Sequence, residues 1–291
     1  MLKQSRGEKI FSVFNYTFLS FLLLITLYPC LYVLFASLSD PVELYNGSKL
    51  LLFPRGFNAA NYVHVFKNMM LWIGYGNTIF YTVLGTLLSV LLTGVAAYCL
   101  SRNGLPGKNF ILMAMIFTMY FSGGMIPTYL VVKNTGLLDT RLALIIPQAI
   151  NTFNFIIVLT YFKGMPLELE EASKIDGAND YIVLFSIMIP LAKSVISVIC
   201  LYYAVSIWNN YMSALLYINN TRLYPLQLVL REILFQGTNE AAKGAEVDSA
   251  DAVAETIKYA TMVVSTVPVL CIYPFIQKYF VKGVMIGSVK G

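Results

Sequence analysis

Apolar runs long enough to cross a bilayer alternate along this chain with short segments rich in charge, glycine or proline. Runs cover residues 11–38, 74–100, 109–132, 141–162, 181–208 and 256–280. Each exceeds the roughly 20 residues that a helix needs to span the hydrocarbon layer. The pattern predicts an all-α polytopic membrane protein with six transmembrane helices. Between the first two runs, Asn58 to Asn68 reads as a short amphipathic stretch. A tight turn at 103–107 follows the second run, and a turn at Asn134-Thr135-Gly136 follows the third. Residues 209–255 form the longest polar stretch and read as an extracytoplasmic loop with some helix.

Composition agrees with lipid as the main solvent. Of 291 residues, 58% are hydrophobic and only 12% charged. So little charge cannot cover the surface of a water-soluble protein of this size. The net charge of +5 comes without an aromatic-laced basic patch, so no nucleic-acid partner is expected. Cys30, Cys99, Cys200 and Cys271 lie singly in apolar runs and read as small hydrophobic fillers. His64 stands alone and supports neither a catalytic dyad nor a metal site. Lys3, Arg6 and Lys9 precede a first run that is too long for a signal-peptide core, so it is read as a retained span. The segments at 1–10, 101–108, 163–180 and 277–291 are denser in Lys and Arg than the opposite loops, which places both termini in the cytoplasm. The division is a cytoplasmic N-terminus at 1–10, a membrane domain at 11–280 and a cytoplasmic tail at 281–291.

The segment from Lys163 to Pro190 is the most informative. Pro166 suits the first position of a helix, and Glu168, Glu170 and Glu171 then complement the helix dipole in its first turn. Gly177 can end that helix with a left-handed residue, and Asn179 or Asp180 can cap the next. A short helix, a glycine turn and a second helix entering the bilayer make a rigid docking element.

Glu171-Ala172-Ser173, Gly177 and Ile187-Met188-Ile189-Pro190 keep both spacings of the E-A-A, three residues, G, nine residues, I-x-L-P signature. The departures are Ser173 for the second alanine and Ile189 for leucine. The segment resembles the coupling loop of ABC-importer permeases. The ending Gly283-Val284-Met285-Ile286-Gly287-Ser288-Val289-Lys290-Gly291 is similar to the tail of carbohydrate-uptake permeases of the maltose-transporter type. With Glu255 to Thr261, it also resembles the second permease subunit of Gram-positive oligosaccharide importers, the LplC/YtcP type. The resemblance implies a type I importer permease fold in a bacterial cytoplasmic membrane, with a coupling helix between spans 4 and 5. It implies that Glu168, Glu171, Ala172, Ser173, Asp176, Gly177, Ala178 and Pro190 couple to partner ATPases, with Gly283, Gly287, Ser288 and Lys290 docking as a tail. The implied partners are a second, homologous permease forming a heterodimer, two ATPases that hold ATP and Mg, an extracytoplasmic solute-binding protein and a carbohydrate.

The chain itself carries no catalytic constellation. Gly107-Lys108 lacks the upstream glycine and the following Ser/Thr of a phosphate-binding loop, so no cofactor is expected on this subunit. None of the six runs contains Asp or Glu, whereas proton-coupled carriers place carboxylates near the midplane. Lys193 lies near the cytoplasmic end of its run and can snorkel. A self-sufficient sodium-coupled carrier is the alternative, since backbone carbonyls can hold sodium. Pro147 with Asn151, Thr152 and Asn154 reads either as a broken helix lining a cavity or as interhelical hydrogen bonding. Asn151, Asn154, Trp208, Asn209, Asn210 and Tyr211 are the candidate substrate path, and Trp208 and Tyr211 read equally as an interfacial aromatic anchor.

Overall fold

Helices account for all the regular structure, and no strand occurs among the described residues. A computed structural model describes residues 6–48, 50–102, 104–241, 253, 255–268 and 270–271. The chain divides into two compact units, residues 1–69 with 230–269 and residues 70–229 with 270–291.

In the first unit, α1 (Arg6–Ser37) continues through Pro29 and is apolar over a membrane-crossing length. Its flanks stay bare within this chain: Ile10, Phe14 and Leu24 are each about two-thirds exposed or more. Asp40 then caps α2 (Pro41–Asn46), accepting from the backbone N–H groups of Val42 and Glu43. The amphipathic stretch at 58–68 forms α3 (Ala60–Lys67). Buried Asn61 donates to the carbonyls of Ser37 and Ser39 and accepts from the Thr256 hydroxyl. Tyr32 meets Tyr259 edge to face at 5.8 Å. These contacts gather α1, α3 and a helix at 255–268 into one unit. The sixth predicted run, 256–280, extends beyond the described residues.

The second unit is built on α4 (Met69–Ser101), whose 33 residues reach about 50 Å at 1.5 Å per residue. Its small residues behave differently from one another. Gly74 meets the backbone of Leu226 and Gly85 meets the tip of Ile207, while Gly94 faces open space. The remaining predicted spans are not continuous. The third run splits into α5 (Lys108–Tyr120) and α6 (Met125–Asn134) around Gly124, which sits at φ +89. Pro127 cannot donate to the Gly123 carbonyl, so the helix cannot run through. The fourth run opens as two 3-10 turns, Arg141–Leu144 and Ile146–Gln148, before α7 (Thr152–Lys163) leaves at 48°. Pro147 removes the donor that a continuous helix would use there.

After α8 (Glu168–Ile175) comes α9 (Asp180–Leu191), which is π-helical over Val183–Met188, and then α10 (Lys193–Trp208). The bend between α9 and α10 is 86°. Pro190 leaves the Ser186 carbonyl without its usual partner, and the widened turn absorbs the mismatch. The polar stretch contains α11 (Met212–Tyr217), a 3-10 turn at Thr221–Leu223 and α12 (Leu226–Ala241). Among the described residues, α1 and α4 are long and apolar enough to cross a membrane singly, and the two bent pairs each qualify when taken together.

One core joins α4, α7, α9 and α10 through Tyr98, Phe155, Phe162, Val183, Met188 and Ile199, all nearly solvent-free. A helix leaving lipid gains little hydrophobic transfer energy, so close packing and hydrogen bonds hold such a core. Tyr203 supplies one of these bonds: its hydroxyl lies 2.7 Å from Thr93 Oγ1 and accepts the Asn151 backbone N–H at 2.9 Å. A second core joins Tyr81, Val132, Leu144, Tyr217 and Leu228.

Candidate coupling site and membrane cavity

The coupling segment begins two residues later than Pro166 suggests. Leu167 precedes the helix, with the N–H groups of Glu170 and Glu171 both bonded to its carbonyl. At the other end the closing pattern is complete. Gly177 N–H donates to Lys174 O at 3.1 Å and Ala178 N–H to Ser173 O at 2.9 Å. That paired closure requires a left-handed residue, and Gly177 has φ +85. Asn179 then caps α9 by accepting from Ile182 N–H at 2.9 Å.

Alpha8 has two faces. Glu170 and Ser173, three residues apart, turn inward and are less than a tenth exposed. Ser173 Oγ donates to the Glu170 carbonyl. Glu170 Oε1 accepts from Lys174 Nζ at 2.8 Å and from Tyr98 OH at 3.4 Å. Its Oε2 lies 2.8 Å from Arg102 Nε, a contact of charges and not an aligned hydrogen bond. The Arg102 guanidinium also covers the Tyr98 ring, and Lys174 reaches Asp180 at 3.2 Å. These bonds to two carboxylates, Glu170 first, raise the Lys174 ammonium above its ordinary value. The helix is thus fixed to the end of α4 and to the start of α9.

Glu168, Glu171, Ala172, Asp176 and Gly177 lie on the exposed side. Ala178 is half-buried against the core, and Pro190 is exposed just ahead of the bend. Ile175 is 86% exposed and Tyr181 77% exposed beside these acids. Neither side chain is covered by the described residues. The sequence reading named neither, nor did it name Glu170, Arg102 and Tyr98 as the support. The tail residues Gly283, Gly287, Ser288 and Lys290 lie outside the described residues.

The break before α7 opens a cavity of about 560 Å³ towards α10. Asn151, Asn154, Gln148, Ser206, Tyr202 and Tyr203 are among its walls. A neighbouring concavity of about 490 Å³ shares Gln148 and Ser206 and adds Asn210 and Ser213. Ser213 Oγ accepts from both Gln148 Nε2 (2.7 Å) and Asn210 Nδ2 (3.1 Å). The sequence candidates Asn151 and Asn154 therefore line one concavity and Asn210 its neighbour. Trp208 is buried, Asn209 bonds back to the Val205 carbonyl, and Tyr211 is exposed; none of the three lines these two concavities. Gln148, Ser206 and Tyr202 went unnoticed because Gln148 lies more than fifty positions from the other two, and only the packing of the broken fourth run against α10 brings them together.

Residues 105–286 match the family described as binding-protein-dependent transport system inner membrane component. The chain belongs to this family. It is 43% identical to Protein LplC of Bacillus subtilis (strain 168) over 100% of this chain and 98% of that protein. It is also 43% identical to the polygalacturonan/rhamnogalacturonan transport system permease protein YtcP of the same organism, over 98% and 99%. A chain from the crystal structure of a bacterial ABC transporter involved in the import of the acidic polysaccharide alginate superposes with a TM-score of 0.87. That chain is 33% identical, and the match covers 96% of this chain and 100% of that one. The protein is thus an ABC-transporter permease, a non-catalytic membrane subunit that works with ATPase and solute-binding partners. The sodium-coupled alternative finds no support.

Proposed function

We propose that this permease carries an oligosaccharide into the cell by alternating access, with α8 as its coupling helix. The observation that carries the coupling reading is the division of α8. Its Glu170–Ser173 side is anchored, and its Glu168, Glu171, Ala172, Ile175 and Asp176 side is free for a partner ATPase. Movement of that ATPase displaces α8 and, through the Gly177 turn, α9. Two permease conformations with different exposure of the cavity are then biased from the cytoplasmic side. Both termini and α8 are assigned to the cytoplasm in a six-span topology, on the density of Lys and Arg in those segments. The partner permease is a homologue forming a heterodimer, the tail from Gly283 to Lys290 docks on the ATPases, and ATP and Mg are held by the ATPases alone.

The carbohydrate assignment draws on YtcP and on the alginate importer, both named for uronate-containing polymers. Amides and aromatic rings along the cavity suit sugars, since amides bond hydroxyls and ring faces stack. Purification of the chain from its host with and without Glu171→Lys tests the coupling reading. The wild-type chain is expected to bring down an ATPase, a second permease and a binding protein. The variant is expected to insert normally and lose the ATPase. An ATPase retained at wild-type level by the variant would remove α8 as the docking helix.

A further inference from the structure

The cavity beside the broken helix is polar without being charged. Asn154 is only 5% exposed, its side-chain amide bonds to no protein group among the described residues, and it opens into the cavity. Burying an amide without a partner is costly, and more so at membrane depth, unless a cavity offers it water or a ligand. Asn151 spends its Oδ1 on the N–H of Asn154 and so leaves Nδ2 available. Gln148 spends Nε2 on Ser213 and leaves Oε1. Ser206 makes no hydrogen bond to a described residue, and Tyr202 presents its ring on the same wall. Among the described residues, neither concavity has a Lys, Arg, Asp or Glu in its wall.

We propose that this wall, centred on Asn154 with Asn151, Gln148, Ser206 and Tyr202, is a sugar subsite that reads hydroxyls and ring faces and binds no carboxylate. The inference rests on the carbohydrate reading above and deepens it. An acidic sugar would present its neutral edge to this subunit, and its charges would be recognised by another subunit. A polyanion is carried by this arrangement without a strong cation to hold it back, which favours release.

Uptake of tri-galacturonate into liposomes holding the complete transporter and its binding protein tests this. Asn154→Leu, which keeps the branched shape and deletes the amide, is expected to raise KM about tenfold, the loss of about one hydrogen bond. The purified Asn154→Leu complex should keep the wild-type subunit stoichiometry, which separates a lost contact from a misassembled complex. Ser206→Lys is expected to bring no gain in KM. Wild-type KM in Asn154→Leu, or a lowered KM in Ser206→Lys, would overturn the subsite; the second result would mean that a carboxylate lies there. Failure of the wild-type transporter to take up tri-galacturonate or its carboxyl-reduced neutral counterpart would instead overturn the carbohydrate reading itself.

Discussion

Arg102 Nε lies 2.8 Å from Glu170 Oε2, so the end of α4 is tied to the inward face of α8. The two side chains are 15% and 10% exposed, and Glu170 has Lys174 as a second cation. Removal of one partner from a largely buried pair leaves an uncompensated charge, at a cost of about 3 kcal/mol. Arg102→Ala is therefore expected to lower the thermal midpoint of the purified complex and to uncouple ATP hydrolysis from uptake. Glu170→Gln should be milder, because the two cations it frees keep other partners: Arg102 lies over the Tyr98 ring and Lys174 reaches Asp180. Equal effects from both variants would show that the charge of Glu170 is immaterial.

Gly177 supports a second expectation. A Cβ there would meet nothing within 4 Å, so the cost of substitution comes from the backbone alone, at φ +85. Gly177→Ala should cost about 1 kcal/mol, and Gly177→Asn less, since asparagine tolerates the left-handed region. Uptake assays on the two variants should rank wild type, Asn, then Ala. The reverse order of Asn and Ala would point to a partner surface, not a turn.

Tyr203→Phe deletes a hydroxyl that serves both Thr93 and the Asn151 backbone N–H across the break. Interhelical bonds within membranes contribute about 0.6 kcal/mol on average, and the orphaned N–H adds to that. A loss of about 1 kcal/mol is expected in detergent unfolding. No loss would mean that water replaces the hydroxyl at no cost.

Lys174 gives a prediction about pH. Its ammonium is raised above the ordinary lysine value by Glu170 and then Asp180. The stabilisation is therefore complete below the unfolded lysine pKa and fades only as pH climbs through the raised folded value. Lys174→Met should lower the thermal midpoint by the same small amount throughout the neutral range, small because the side chain is half exposed. A difference that changes between mildly acidic and neutral pH would implicate another group.

What was readable in the sequence was local. The glycine closure of α8 and the Asn179 cap depend on neighbours within six residues, and Gly177 and Asn179 announce them. Which face of α8 turns inward depends on Arg102, some seventy positions earlier, so Glu168 and Glu171 looked no different from Glu170. A trace was present in the Glu170, Ser173, Lys174 spacing, since these share one side of a helix. The helix breaks were legible only as prolines. Pro147 was read as a possible break and Pro190 only as part of the coupling signature; the apolar runs around them continue, and hydropathy is blind to a change of direction. Trp208 read equally as a cavity residue and as an interfacial anchor; it is buried and lines neither concavity.

The near-right-angle between α9 and α10 makes a crank of this part of the chain. The twelve residues of Asp180–Leu191 form an arm of about 18 Å. A push of about 2 Å on the Asp180 end, transverse to that arm, turns the joint at Ala192 by about 6°. On the coupling role proposed for α8, a small sliding of that helix would be returned as rotation of α10, the helix that carries Tyr202 and Ser206.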